Sequence, residues 1–147
     1  FKTILVPVDG SPLSMKALDM AVEYSMREGS RLTLMYVAIP PVFCGSQSVL
    51  EEVRRMAMDE IRRYGESVLE ASESRCKAYG LTVRRILRVA EADSGSPANE
   101  ILKEAVNGHY DCVILGSRDC GAKRSLLLGS VGISVAINAP CTTIIVR

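Results

Sequence analysis

Tryptophan is missing from this chain and phenylalanine occurs only twice, so little aromatic surface is available for stacking the bases of a nucleic-acid strand. Charge of one sign is missing too: 18 Lys and Arg stand against 17 Asp and Glu, for a net charge of +1. No broad field draws in a polyanion, and nucleic-acid binding is not expected. The single histidine, His109, has no nucleophile or second ligand beside it and reads as a surface turn residue. No serine-histidine or cysteine-histidine set can be assembled. The five cysteines are odd in number and form no C-x-x-C pair, which argues against a disulfide framework and against a metal site and for a reducing, cytoplasmic setting. Cys112 and Cys141 fall in apolar strand patterns and read as buried thiols. Cys120 stands near Arg118 and Lys123, a setting that lowers a thiol pKa, although an unreactive surface position is the commoner outcome. Phe1-Lys2-Thr3 leads directly into a strand-like run, so no signal peptide is expected. The one uncharged tract, Ser125 to Val146, is broken by Gly129, Gly132, Asn138 and Pro140 and reads as a buried helix and a strand, not a membrane span.

What remains is a chain of 147 residues, 48% hydrophobic and 24% charged, the proportions of one globular domain over residues 1–147. Apolar runs at Thr3 to Val8, Arg31 to Val37, Leu81 to Ala90, Cys112 to Leu115 and Thr142 to Val146 read as strands. Helical periodicity fills the intervals. Ser11-Pro12 and Ser96-Pro97 are helix starts, because serine caps free N–H groups and proline fits the first turn. The first helix runs to Glu28 with Leu18, Ala21, Val22 and Ser25 inward, and Gly29 stops it. After a loop over Ala38 to Ser48, expected to be mobile beside the site, a long helix spans Val49 to Ala78. Its inward stripe is Leu50, Val53, Ala57, Ile61, Tyr64, Val68 and Ala71, and Gly65 permits a bend. Further helices cover Pro97 to Val106 and Gly129 to Asn138. Alternating strands and helices imply a doubly wound, five-stranded parallel sheet in a three-layer sandwich, with strand order 3-2-1-4-5. Arg84, Arg85 and Arg88 mark the third strand as an edge with one wet face. Pro7 removes a ladder hydrogen bond, so one neighbour of the first strand is splayed there, and a ligand could enter the gap.

The stretch from Tyr110 to Val131 organises the rest. A buried strand delivers its carboxyl end into a loop bearing Gly116, Ser117, Arg118, Cys120, Gly121, Lys123, Arg124 and Ser125, followed by Gly129 and Ser130 at the start of the last helix. Free amides, a positive helix end and three cationic side chains suit an anion such as phosphate. It is not a P-loop, because Ala122 stands where the lysine belongs and Arg124 separates Lys123 from Ser125.

Gly116, Gly129 and Ser130 fit the pattern G-x2-G-x9-G-[ST] and resemble the universal stress protein family, with Asp119 in the place of the second glycine. The resemblance covers the whole chain. Ile4 to Ser11 is similar to that family's opening strand, Gly95 to Ile101 to its Gly-x-Pro-Ala segment, and Cys141 to Val146 to its closing strand. It implies the adenine nucleotide alpha hydrolase-like fold and a site for ATP or AMP, with Mg2+ as an optional companion. Base and ribose would be held by Pro7, Asp9 and Val37, and the phosphates by Gly116, Ser117, Arg118, Gly121, Gly129, Ser130 and Val131. It also implies a homodimer through Thr142 to Val146 and a role in stress response or signalling, with no fixed reaction and slow ATP hydrolysis left open. A second reading stays beside it: a family member that does not bind nucleotide and acts through protein partners, the loop being altered at Asp119.

Overall fold

The computed structural model describes residues 1–41, 47–91, 96–117 and 129–147. Among these residues five strands alternate with four helices: β1 (Thr3–Pro7), α1 (Pro12–Glu28), β2 (Arg31–Ala38), α2 (Gln47–Lys77), β3 (Arg84–Val89), α3 (Pro97–Asn107), β4 (Cys112–Gly116), α4 (Ser130–Asn138) and β5 (Thr142–Val146). All strand pairs are parallel, in the order β3-β2-β1-β4-β5. The expected doubly wound sheet is therefore present, with β3 and β5 at its edges.

The helix starts behave as their chemistry dictates. Ser11 is extended and its hydroxyl accepts from the Ser14 N–H at 3.2 Å, while Gly29, in the left-handed region at φ 71, closes α1 by donating to the Ser25 carbonyl at 2.8 Å. Ser96 caps α3 in the same way through the Ala98 N–H. Successive residues of each strand face opposite layers. Ile4, Val6, Leu34 and Ile114 pack with Leu18 of α1 and Leu69 of α2, whereas Leu5, Met35, Val113 and Leu115 pack with Ile101 of α3 and Val135 of α4. His109 is exposed in a turn at φ 50. Cys76 and Cys112 are buried, and desolvation pushes both thiols up to about 11, so neither is a nucleophile at neutral pH. Cys44 and Cys120 lie outside the described residues.

The ladder between β1 and β4 is short. β1 pairs with β2 from Thr3 to Pro7, but with β4 only at Ile4 and Leu5. The Thr3 N–H points toward the β4 side, to Asp111, and the Val8 N–H toward β2, to the Met35 carbonyl at 2.9 Å. By alternation the nitrogen of Pro7 faces β4, where it has no proton to give. At the opposite end of the sheet, Asp111 fastens the same two strands. Its carboxylate accepts from the Lys2 N–H at 2.7 Å and the Thr3 N–H at 3.0 Å, and these bonds hold its pKa below the ordinary carboxylate value.

Three expectations need correction. β3 begins at Arg84, not Leu81, because the Leu81 N–H is spent on the Cys76 carbonyl at the end of α2. The loop after β2 is shorter than expected, since α2 already starts at Gln47; residues 42–46 lie outside the described part. The buried face of α2 is also turned by one position in its second half: Gly65, Val68, Leu69, Ser72 and Cys76 are inward, while Tyr64 and Ala71 are exposed. Gly65 makes no break in the helix. A Cβ there would stand 2.5 Å from Cδ1 of the buried Tyr36 and 3.0 Å from Cδ1 of Leu87, so the glycine lets α2 approach the sheet. Two arginines of β3 hold neighbouring elements: Arg85 pairs with Glu73 at 3.2 Å, and Arg88 pairs with Glu104 at 3.2 Å, whose other oxygen accepts from the Tyr110 hydroxyl.

Helix propensity alone would have Gly65→Ala stabilise the protein by about 1 kcal/mol. Overpacking against Tyr36 is expected to win, with a net loss of roughly 1–3 kcal/mol in urea denaturation.

Candidate functional site

A cavity of about 390 Å³ opens at the carboxyl rim of the sheet, where β1 and β4 part. Its floor is the end of β1, Pro7 and Val8, and the turn that follows. Asp9 is held there: one carboxylate oxygen accepts from the Ser11 N–H at 2.9 Å, and the Asp9 N–H donates to Ser14 Oγ at 3.4 Å. Gly10 turns the chain in the left-handed region at φ 81, which a residue with a Cβ enters only at a cost.

The side walls come from both layers. β2 contributes Tyr36 and Val37, and α2 contributes Ile61 and Tyr64. On the other side stand Pro97 and Ile101 of α3, Leu115 and Gly116 of β4, and Val131 and Gly132 of α4. The odd-numbered residues of β2 turn their backbone groups toward β1, as the Arg31 N–H to Lys2 carbonyl bond (2.8 Å) shows. Val37 continues that alternation beyond the last residue of β1, so its N–H and carbonyl are directed into the gap. α4 begins on Gly129 without any side-chain cap and carries no acidic residue in its first turn. Its leading amides and the positive end of its dipole face the rim through Val131 and Gly132.

Of the residues singled out in the sequence, Pro7, Asp9, Val37, Gly116 and Val131 are brought together around the cavity. Ser117 is buried and its N–H is committed to the Val146 carbonyl of β5 at 2.8 Å. Gly129 and Ser130 sit at the start of α4 but outside the lining. Arg118, Asp119, Gly121, Lys123, Arg124 and Ser125 lie outside the described residues. Sequence reasoning missed Ser11 and Ser14, whose signal was the helix start, and Tyr64, whose position the stripe assigned to the core. Among the described residues, no group of His, Cys, Asp and Glu could hold a metal ion, and no helix is long and apolar enough to cross a membrane.

An open parallel sheet with a cavity at its topological switch point defines a doubly wound α/β protein whose ligand site is expected at the carboxyl rim. The profile of the universal stress protein family matches residues 1–147, and the chain belongs to that family. A universal stress protein of Thermus aquaticus is 32% identical over 153 residues, spanning 100% of this chain and 99% of its own. Among solved structures, a universal stress protein from Lactobacillus plantarum superposes with a TM-score of 0.85 at 22% identity, over 100% of this chain and 98% of that one. One from Archaeoglobus fulgidus, in complex with dAMP, superposes with a TM-score of 0.72 at 18% identity, over 100% of this chain and 98% of its own.

Two glycines of the cavity wall respond differently to a methyl group. At Gly116 a Cβ would lie 2.5 Å from the backbone carbonyl of Leu13, because the first turn of α1 rests on the end of β4. At Gly132 the nearest atom is Ile145 Cδ1 at 3.8 Å, an ordinary contact. Gly116→Ala is expected to lower stability by about 3 kcal/mol. Gly132→Ala is expected to be neutral or to stabilise by up to about 1 kcal/mol, and denaturant midpoints of the two variants check the contrast.

Proposed function

We propose that this universal stress protein binds an adenine nucleotide, ATP or AMP, in the rim cavity and acts as a cytoplasmic homodimer in stress response or signalling. The observation that carries the reading is the coincidence, in one cavity of about 390 Å³, of an apolar slot, a free backbone edge and an uncapped helix start. Each suits a different part of the ligand. The Val37 N–H and carbonyl offer one donor and one acceptor to the edge of a base. Asp9, held by Ser11, offers a carboxylate to ribose hydroxyls. The α4 amides and the loop cations Arg118, Lys123 and Arg124 offer positive charge to phosphates. The dAMP complex of the Archaeoglobus fulgidus protein supports an adenine nucleotide as the ligand class. Mg2+ would join through oxygen ligands, the Asp119 carboxylate among them.

Asp119 also favours the second reading, in which nucleotide binding has been lost and the protein acts through protein partners. A fixed carboxylate about 5 Å from a phosphate, at an effective dielectric near 20, opposes binding by about 3 kcal/mol per unit charge. Isothermal titration of nucleotide-stripped protein with ATP, AMP and cyclic AMP decides between the two. Binding of ATP or AMP is expected, with Asp119→Gly binding ATP more tightly; a variant that binds more weakly when Mg2+ is present assigns Asp119 to the metal. No heat with any nucleotide favours the partner-protein reading.

The dimer reading rests on the open edge of β5, which among the described residues pairs with β4 alone, and on the apolar face of the adjacent α4, where Ile133 is 40% and Ile137 is 74% exposed. Multi-angle light scattering is expected to give a dimer for the wild type and a monomer for Ile137→Glu.

A further inference from the structure

Tyr64 is a large aromatic side chain on the flank of the inward face of α2, and it stands 54% exposed. The inward position next to it is occupied by Gly65, which has no side chain to bury and lets Tyr36 press against the α2 backbone. Tyr64 is thereby turned onto the lip of the cavity, and it is held there from two sides. Its ring meets Tyr36 edge to face, with centroids 6.1 Å apart and planes at 71°. Its hydroxyl lies over Gly10, 2.9 Å from where a Cβ would stand. Ile61, one turn earlier on α2, continues the same wall.

We propose that Tyr64 is the residue that stacks on the base of the bound ligand, and that the site therefore selects a planar heteroaromatic ring joined to an anionic group. The inference rests on the nucleotide reading above and adds to it an affinity determinant carried by α2, a helix that contributes none of the residues expected at the site. An aromatic wall fixed before the ligand arrives gains contact without losing side-chain freedom on binding. The hydroxyl lies beside the Gly10 turn, and the contact assigned to the base is made by the ring face.

Calorimetric titration of the wild type, Tyr64→Phe and Tyr64→Ala with ATP and with AMP tests the proposal, with the thermal midpoint of each protein recorded alongside. Tyr64→Phe is expected to bind within about twofold of the wild type. Tyr64→Ala is expected to bind about tenfold more weakly, with its thermal midpoint close to that of the wild type because the side chain is half-exposed. Wild-type affinity in Tyr64→Ala overturns the proposal and leaves the nucleotide reading standing. An equal loss in Tyr64→Phe and Tyr64→Ala also overturns it, because the hydroxyl would then carry the effect. A wild type that takes up neither ATP nor AMP refutes the nucleotide reading itself, and the stacking role with it.

Discussion

The missing N–H of Pro7 is the constraint on which the site depends. Parallel strands remain together only while each nitrogen finds a carbonyl across the gap, and on the β4 side of β1 that sequence of bonds ends after Leu5. A residue with an N–H at position 7 could prolong the ladder and draw β4 against β1. Proline prevents this, while β2, on the other flank, stays in register to the end of β1. The separation is thus one-sided and local. Asp111 secures the same two strands at their other ends, so the parting at the rim does not spread through the sheet.

Around that opening the chain places groups whose bonding capacity is not used up by the fold. Val37 extends past its neighbour and α4 starts without a cap; Asp9, beside them, is oriented by its bond from the Ser11 N–H in the first turn of α1. Polar groups elsewhere in the molecule are mostly consumed. Glu104, though buried, takes both Arg88 and the Tyr110 hydroxyl, and Ser25 and Ser30 bond to carbonyls at the foot of the sheet. The contrast separates scaffold from site: paired polar groups hold layers together, while the backbone edge of Val37 and the uncapped start of α4 meet where the strands diverge.

Much of this architecture was legible in the residues. Ser-Pro pairs and the stopping glycine at position 29 follow from local chemistry, because caps and turns are decided by neighbours in sequence, and the strand order follows from the topology that alternating strands and helices adopt. Pro7 could be read in the same way, since the loss of a donor is a covalent fact. Less legible was the face of α2. A stripe read by threes and fours drifts against a helix of 3.6 residues per turn, and over 31 residues a one-position error cannot be detected without the sheet in place. That drift hid Tyr64, and it disguised Gly65, whose reason is the ring of Tyr36 twenty-nine positions earlier. Asp111 was hidden for the same cause, since its partners Lys2 and Thr3 lie at the far end of the chain. The basic loop, so prominent in sequence, falls outside the described residues.

The unequal anchoring of α2 has a dynamic corollary. From Leu50 to about Glu60 few of its side chains are shielded from solvent, whereas from Gly65 onward every turn is pinned against the sheet. Opening of the first half disturbs no core, so its amide protons exchange at low free-energy cost, while those of the second half wait for global unfolding. Tyr64 sits at the junction between these two regimes, next to the first firmly seated turn, where a ring can keep its orientation while the helix before it opens.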